Sequence, residues 1–123
     1  MIEASFLYLL LVKHAIADLA LQPLIKGGDK LDLRSHKGYR HALDHAALTL
    51  LVTSWFAPVP AAIMLAMLDF ALHFWIDYWK SRYTRPRRLT LDQHHFWIVQ
   101  AVDQIAHFTC YWLYTFLIFY TVY

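Results

Sequence analysis

Residues 69–80 read DFALHFWIDYWK, placing Asp69, His73 and Asp77 at four-residue intervals in an otherwise apolar run that begins near Ala57 and closes on Lys80. Residues four apart lie one above another on a helix, so these three form a single polar stripe on an apolar cylinder. Such a stripe needs a polar partner. Of 123 residues, 59% are hydrophobic and 17% aromatic, with only 3 glycines, which describes one domain over 1–123 that is too apolar for a typical soluble fold. The expectation is an all-α, polytopic integral membrane protein whose partner groups sit on neighbouring helices.

Four apolar segments each approach the roughly 20 residues that a helix needs to cross the hydrocarbon core. The first runs from about Ile2 to Gln22, where Pro23 and the Gly27-Gly28 pair end it. The second covers about Tyr39 to Phe56; Pro58 and Pro60 turn the chain into the third, which ends near Lys80. Thr90 followed by Gln93 fits a capping box, which starts the fourth helix there and carries it to the C-terminus. The first segment lacks a basic leader and already holds polar residues, so it reads as a retained span rather than a cleaved signal peptide.

Lys26, Lys30, Arg34, Lys37 and Arg40 lie between the first two segments, and Lys80, Arg82, Arg85, Arg87 and Arg88 between the last two. By the positive-inside rule both loops are cytoplasmic and both termini external, giving four transmembrane helices in an up-down bundle, N-out and C-out, in a bacterial inner membrane. The same rule accounts for the RYTRPRR stretch, and a formal net charge of +2 gives no case for nucleic acid as a partner. The lone Cys110 excludes an intrachain disulfide framework and reads as a small buried hydrophobe.

Helix one then carries His14, Asp18 and Gln22; helix two His41 and His45 beside Asp44; helix three Asp69, His73 and Asp77; helix four Gln100, Asp103, Gln104 and His107. At about 1.5 Å per residue, His14, His45, His73 and Asp103 all fall roughly 10 to 15 Å from the cytoplasmic ends of their helices. An aspartate near mid-span costs roughly 2.5 to 3.5 kcal/mol on insertion scales, so Asp18, Asp69 and Asp103 together approach the stability of an ordinary domain. A single histidine can be satisfied by a bond across helices, but one His/Asp set per helix exceeds what such bonding requires. A metal centre is the simpler account, with His14, Asp18, His45, Asp69, His73, Asp77, Asp103 and His107 as candidate ligands. Imidazole and carboxylate without thiolate suit zinc first, with manganese or Fe(II) also compatible. Two ions would balance four carboxylates; one ion, with some carboxylates orienting histidines, is equally allowed.

The segments HAIADLALQ, HALDH, HFWIDYWK and DQIAH, in this order, resemble the signature segments of a small family of bacterial and phage multi-pass membrane proteins described as a domain of unknown function. Their pattern is also similar to that of membrane-bound metal-dependent hydrolases, which place His and Asp on transmembrane helices. The resemblance covers nearly the whole chain. It implies roles for His14, Asp18 and Gln22, for His45, for His73, Asp77 and Lys80, and for Asp103, Gln104 and His107; Asp69, His41 and Asp44 are not among the positions it carries over.

The functional expectation is a metal-dependent hydrolase. A divalent ion lowers the pKa of a water toward about 7, Asp69 or Asp77 serves as general base, and Lys80 and Arg82, with Gln22 and Gln104, hold an amphiphilic, lipid-like substrate from the cytoplasmic side. Snorkelling accounts for Lys80 equally well. One alternative is a non-enzymatic protein that uses the metal as a structural staple and acts through a membrane protein partner. Another is an ion or proton transport element, against which stand the apolar outer stretches LYLLL, LLVT and TFLIF.

Overall fold

Residues that end up inside recur every three or four positions: Phe6, Leu10, Lys13, His14 and Ala17; His41, His45, Thr49 and Thr53; Asp69, His73 and Asp77; Asp103, His107, Tyr111, Tyr114 and Ile118. This is the spacing of one face per helix. The computed structural model describes residues 1–121 and contains four helices, α1 (Ile2–Ala15), α2 (His36–Thr53), α3 (Val59–Thr84) and α4 (His94–Thr121). The last two residues of the expected fourth span lie outside the described residues.

The chain beyond α1 stays helical but changes its winding, to a π-helix over Ile16–Leu21 and a 3₁₀ turn over Gln22–Leu24. Pro23 has no N–H for the carbonyl four residues back, and its ring crowds that carbonyl. The turn before it opens accordingly, with the Gln22 N–H bonding to the Ala17 carbonyl five residues behind. At the fourth helix Gln93 does reach back to accept the Thr90 N–H at 3.3 Å, yet regular α-structure begins only at His94.

Each helix packs on the next and α4 returns to α1, closing a four-helix ring. The turn end of the bundle holds an apolar core of Phe6, Leu10, Leu65, Tyr111, Tyr114 and Ile118. There the Phe6 ring meets Phe56 and Phe119 edge-on, at 5.2 and 5.7 Å between centroids. Toward the two long loops the interior turns polar, with Lys13, His14, His41, His45, Asp69, His73, Asp77, Asp103 and His107 all buried. The outside is the reverse: Leu19 is 77% exposed, Met67 68%, Ile105 62% and Leu51 59%. Two stretches, Ile2–Leu24 and Val59–Thr84, are long and apolar enough to cross a membrane.

The loop between α1 and α2 is held by short-range bonds. Ser35 Oγ caps α2 by accepting the Lys37 N–H and also takes the Asp29 N–H at 2.8 Å. Gly28, at φ +76°, runs so close beneath that a Cβ built on it lies 2.4 Å from Ser35 Oγ and 3.0 Å from Lys37 Cβ. Gly28→Ala therefore suffers both the left-handed backbone and loss of the cap, and is expected to destabilise by about 1 to 2 kcal/mol. Gly27, equally left-handed at φ +67° but with nothing within 4 Å, supplies the comparison. A thermal melt of both alanine variants should show the larger loss at Gly28, and equal losses would show that the cap is not involved.

Candidate metal centre

All four helices send imidazole or carboxylate groups to one level of the bundle. His73 of α3 lies between His45 of α2 and His107 of α4, stacked on them at 3.4 and 4.1 Å between ring centroids. His14 of α1 is 5.1 Å from both His45 and His107, and His41 is 4.7 Å from His45. Asp18 comes from the π-helical stretch, Asp77 sits one turn below His73, and Asp103 one turn before His107. Ligand atoms within 4.8 Å of one another form three sets: Asp18, His41, His45 and His73; His14, His73 and His107; Asp77, Asp103 and His107.

The hydrogen bonds of these groups do not close. His14 is bonded through Nδ1 to the Tyr111 hydroxyl at 2.7 Å and through Nε2 to Gln104 Oε1 at 3.2 Å. His45 Nε2 meets Asp18 Oδ1 at 3.0 Å, with Lys13 Nζ 3.4 Å from its Nδ1. His107 Nε2 meets Asp77 Oδ1 at 3.3 Å. By contrast, both ring nitrogens of His41, both of His73 and Oδ1 of Asp103 are buried without a hydrogen-bond partner. His41 Nε2 is 3.2 Å from Asp18 Oδ1, but at an angle that makes no hydrogen bond. Buried polar atoms in a native protein are nearly always paired; here one lone pair on each of two imidazoles and a carboxylate oxygen gather among groups that could hold a cation.

The carboxylates differ in how they are neutralised. Lys13 Nζ pairs with Asp69 at 2.8 Å, Lys30 Nζ with Asp77 at 2.5 Å and Lys80 Nζ with Asp103 at 2.9 Å. Asp18 has no lysine. Its neighbours are the imidazoles of His14, His41 and His45, at 3.1, 3.2 and 3.0 Å. The negative charge left over in the cluster therefore rests on Asp18, beside the orphaned rings of His41 and His73.

Seven of the eight residues expected as ligands meet here: His14, Asp18, His45, His73, Asp77, Asp103 and His107. Asp69 is not brought to them. Lys13, Thr49 Oγ1 at 2.6 Å and the Tyr114 hydroxyl at 3.2 Å occupy its carboxylate one layer nearer the turn end. His41 joins the cluster, whereas Asp44 faces away and pairs with Arg40 at 3.3 Å. Gln104 bridges His14 and Asp103 rather than lining an opening, and Arg82 lies exposed over the Trp79 ring at 5.8 Å. Gln22 and Lys80 do line the polar cavity at the loop end, about 240 Å³, together with Asp18, Lys30, Asp77 and Gln100.

Lys13, Tyr111 and Lys30 are the participants the sequence reading passed over. A lysine inside LLLVKHAI is as costly in lipid as an aspartate, and that cost was the available signal for Lys13. Tyr111 sits four residues after His107, on the same face of α4. Lys30 comes from a loop with no periodicity, and only the fold brings it to Asp77. The loop is pinned in turn by Asp29, whose bond from the Arg85 guanidinium holds its carboxyl below the usual range.

The family model for DUF3307, described as a protein of unknown function, matches residues 6–122, and the chain belongs to that family. No curated protein and no solved structure matches it.

Proposed function

We propose that this DUF3307 member is a four-span membrane protein that binds a divalent metal and acts as a metal-dependent hydrolase on a lipid-like amphiphile from the cytoplasmic side. The observation that carries the metal is the pair of buried imidazoles, His41 and His73, with no hydrogen-bond partner at any ring nitrogen, beside the one cluster carboxylate without a lysine. Asp18, His41, His45 and His73 would hold the ion. Three imidazoles and a carboxylate favour zinc, with manganese or Fe(II) compatible. A second ion at Asp77, Asp103 and His107 would have to share carboxylates whose Oδ2 atoms Lys30 and Lys80 already hold, leaving it the Oδ1 atoms that face His107.

Four spans are supported by the inverted surface. Large apolar side chains face outward on all four helices, among them Leu19, Leu51, Met67 and Ile105, while the interior holds the ionisable groups. Trp79 and Trp97 are exposed near the basic loops and Trp55 at the opposite turn, as interfacial tryptophans are. With both basic loops on the cytoplasmic side, a cysteine at Ser54 in a Cys110→Ala background is expected to react with an impermeant maleimide added to intact cells, and one at Lys37 only after permeabilisation. The reverse pattern would overturn the orientation.

When bound, the ion would supply Lewis acidity, and an acidified water provided that only three of these four groups ligate and one position stays open. Asp77 lines the polar cavity beside the cluster and, with Asp18 on the ion, would be the carboxylate that takes a proton there. Lys80, at the same opening, is placed to meet an anionic headgroup. Transport is disfavoured by the apolar core at the turn end, where Phe6, Leu10, Tyr111, Tyr114 and Ile118 offer no continuous polar path outward. The test is turnover of cytoplasmic-leaflet phospholipids and acyl amides by metal-loaded protein, with Asp77→Asn alongside. Hydrolysis that falls about 100-fold or more in the variant is expected; tight metal with no turnover of any of them would leave a structural staple as the function.

A further inference from the structure

Two grooves mark the outside of the bundle, and they differ in one respect. The groove between α2 and α3, about 420 Å³, is lined by Leu43, Leu50, Ile63, Met67 and other apolar residues throughout. The groove between α3 and α4, about 560 Å³, is apolar along Leu72, Trp75, Ile98 and Val102 but also carries Lys80 and Asp103, the ion pair at the edge of the candidate metal centre, with Tyr83 and His95 toward the loop. Its size lies in the roughly 300–1,000 Å³ range of small-molecule sites.

Lys80 is shared more widely. It also lines the polar cavity with Asp18 and Asp77, and a third, cationic pocket of about 370 Å³ formed with Lys30, Lys37 and Arg85. Lys30, Lys80 and Arg85 are each paired with an aspartate. Lys37 forms no ion pair of its own among the described residues and shares the field of Asp29 with Arg85, so four cations meet three carboxylates and the pocket keeps a net positive charge. One lysine thus stands where an apolar groove, an anion-attracting pocket and the opening to the metal ligands meet.

We propose that the α3–α4 groove receives an acyl chain of an anionic glycerophospholipid whose phosphate seats in the Lys37–Lys80–Arg85 pocket, so that the amphiphile enters the site sideways from the bilayer. The proposal rests on the membrane-embedded reading above. It accounts for the charge in one groove and not the other, since annular lipid fills any apolar groove whereas only a bound phospholipid requires a cation at a fixed distance from its chains. The headgroup bonds of the lipid would then lie beside Asp77 and the cluster without crossing the loops.

The experiment is photolabelling in nanodiscs with phosphatidylglycerol carrying a diazirine on one acyl chain, adducts being mapped by mass spectrometry, and with the phosphatidylcholine analogue as control. Adducts from the anionic probe are expected in several-fold excess at Val102 and Ala106 over Ala47 and Met67, with no such excess from the zwitterionic probe. Lys37→Ala is expected to reduce the excess roughly fivefold, the effect of removing one basic residue from an anionic surface. Ala106→Trp, which fills the groove, should abolish the excess while leaving labelling of the α2–α3 groove unchanged. Equal labelling of the two grooves, or an excess that is the same for both lipids and indifferent to Lys37, would overturn the proposal. Labelling needs no turnover, so an excess without hydrolysis would retain the lipid site and remove the hydrolase, and hydrolysis without an excess would do the opposite.

Discussion

Chelation in detergent is expected to remove a stoichiometric divalent ion and lower the melting temperature by about 10 °C or more. Metal bound only by the folded state can contribute on the order of 10 kcal/mol, and even ~3 kcal/mol moves a domain of this size by that amount. The expected loss is steep because removal of the proposed ion would leave a lone pair on each of His41 and His73 unpartnered, next to an Asp18 carboxylate that forms no ion pair with a lysine. His73→Ala and His41→Ala should purify with little metal, and chelator should then have no further effect on their melts. Cys110→Ala, half-buried on α4 and outside every ligand set, should retain the full complement. Elemental analysis of the three variants beside the unaltered chain decides the matter. A protein that carries no transition metal and is indifferent to chelation would sink the metal centre and, with it, the hydrolase.

The second large effect is expected from a residue outside the centre. Lys13 and Asp69 are 2% exposed each and pair at 2.8 Å, with Thr49 and Tyr114 completing the carboxylate's bonds. Removing one member of a buried ion pair costs about 3 to 5 kcal/mol because the other charge is left uncompensated, whereas replacing both by apolar groups is often neutral or better. Lys13→Met alone should therefore be severely destabilised, and Lys13→Met with Asp69→Leu should recover most of the loss. If the two single effects simply add, the pair is not a unit. Metal content separates this role from that of a ligand: Asp69→Leu in the double variant should leave the ion bound, since Asp69 belongs to none of the ligand sets.

What could be read from the sequence follows from how periodic each signal was. Four helices and their polar faces were visible because His14 and Asp18, His41 and His45, His73 and Asp77, and Asp103 and His107 each repeat at four residues, the spacing that survives any detail of packing. Boundaries were less visible. The capping pair Thr90 and Gln93 does form its bond, but the helix starts at His94, and the first helix widens into a π-turn that hydropathy cannot register. Asp69 shows the limit of the stripe: it shares the face of His73 and Asp77, yet it sits a turn nearer the apolar end, where Lys13 claims it. Which of the two carboxylates on that face joins the cluster depends on what the neighbouring helices hold opposite each turn. Lys30 and its bond to Asp77 were beyond sequence reasoning altogether, because a loop lysine reaches a helix face only through tertiary structure.

The brief connection from Ser54 to Pro58 bears on how such a chain is made. Of the two helices it joins, Val59–Thr84 is long and apolar enough to cross a bilayer, while α2 carries Arg40, His41, Asp44 and His45 in its first half. On the proposed four-span reading, α2 is a poor substrate for membrane insertion when it leaves the ribosome alone. Partition becomes favourable once α3 follows and the two enter lipid as one hairpin, with Thr49 donating to Asp69 at 2.6 Å and the His45 ring lying against His73. On that reading, groups that would be expelled singly would be carried in already matched, one helical pair at a time.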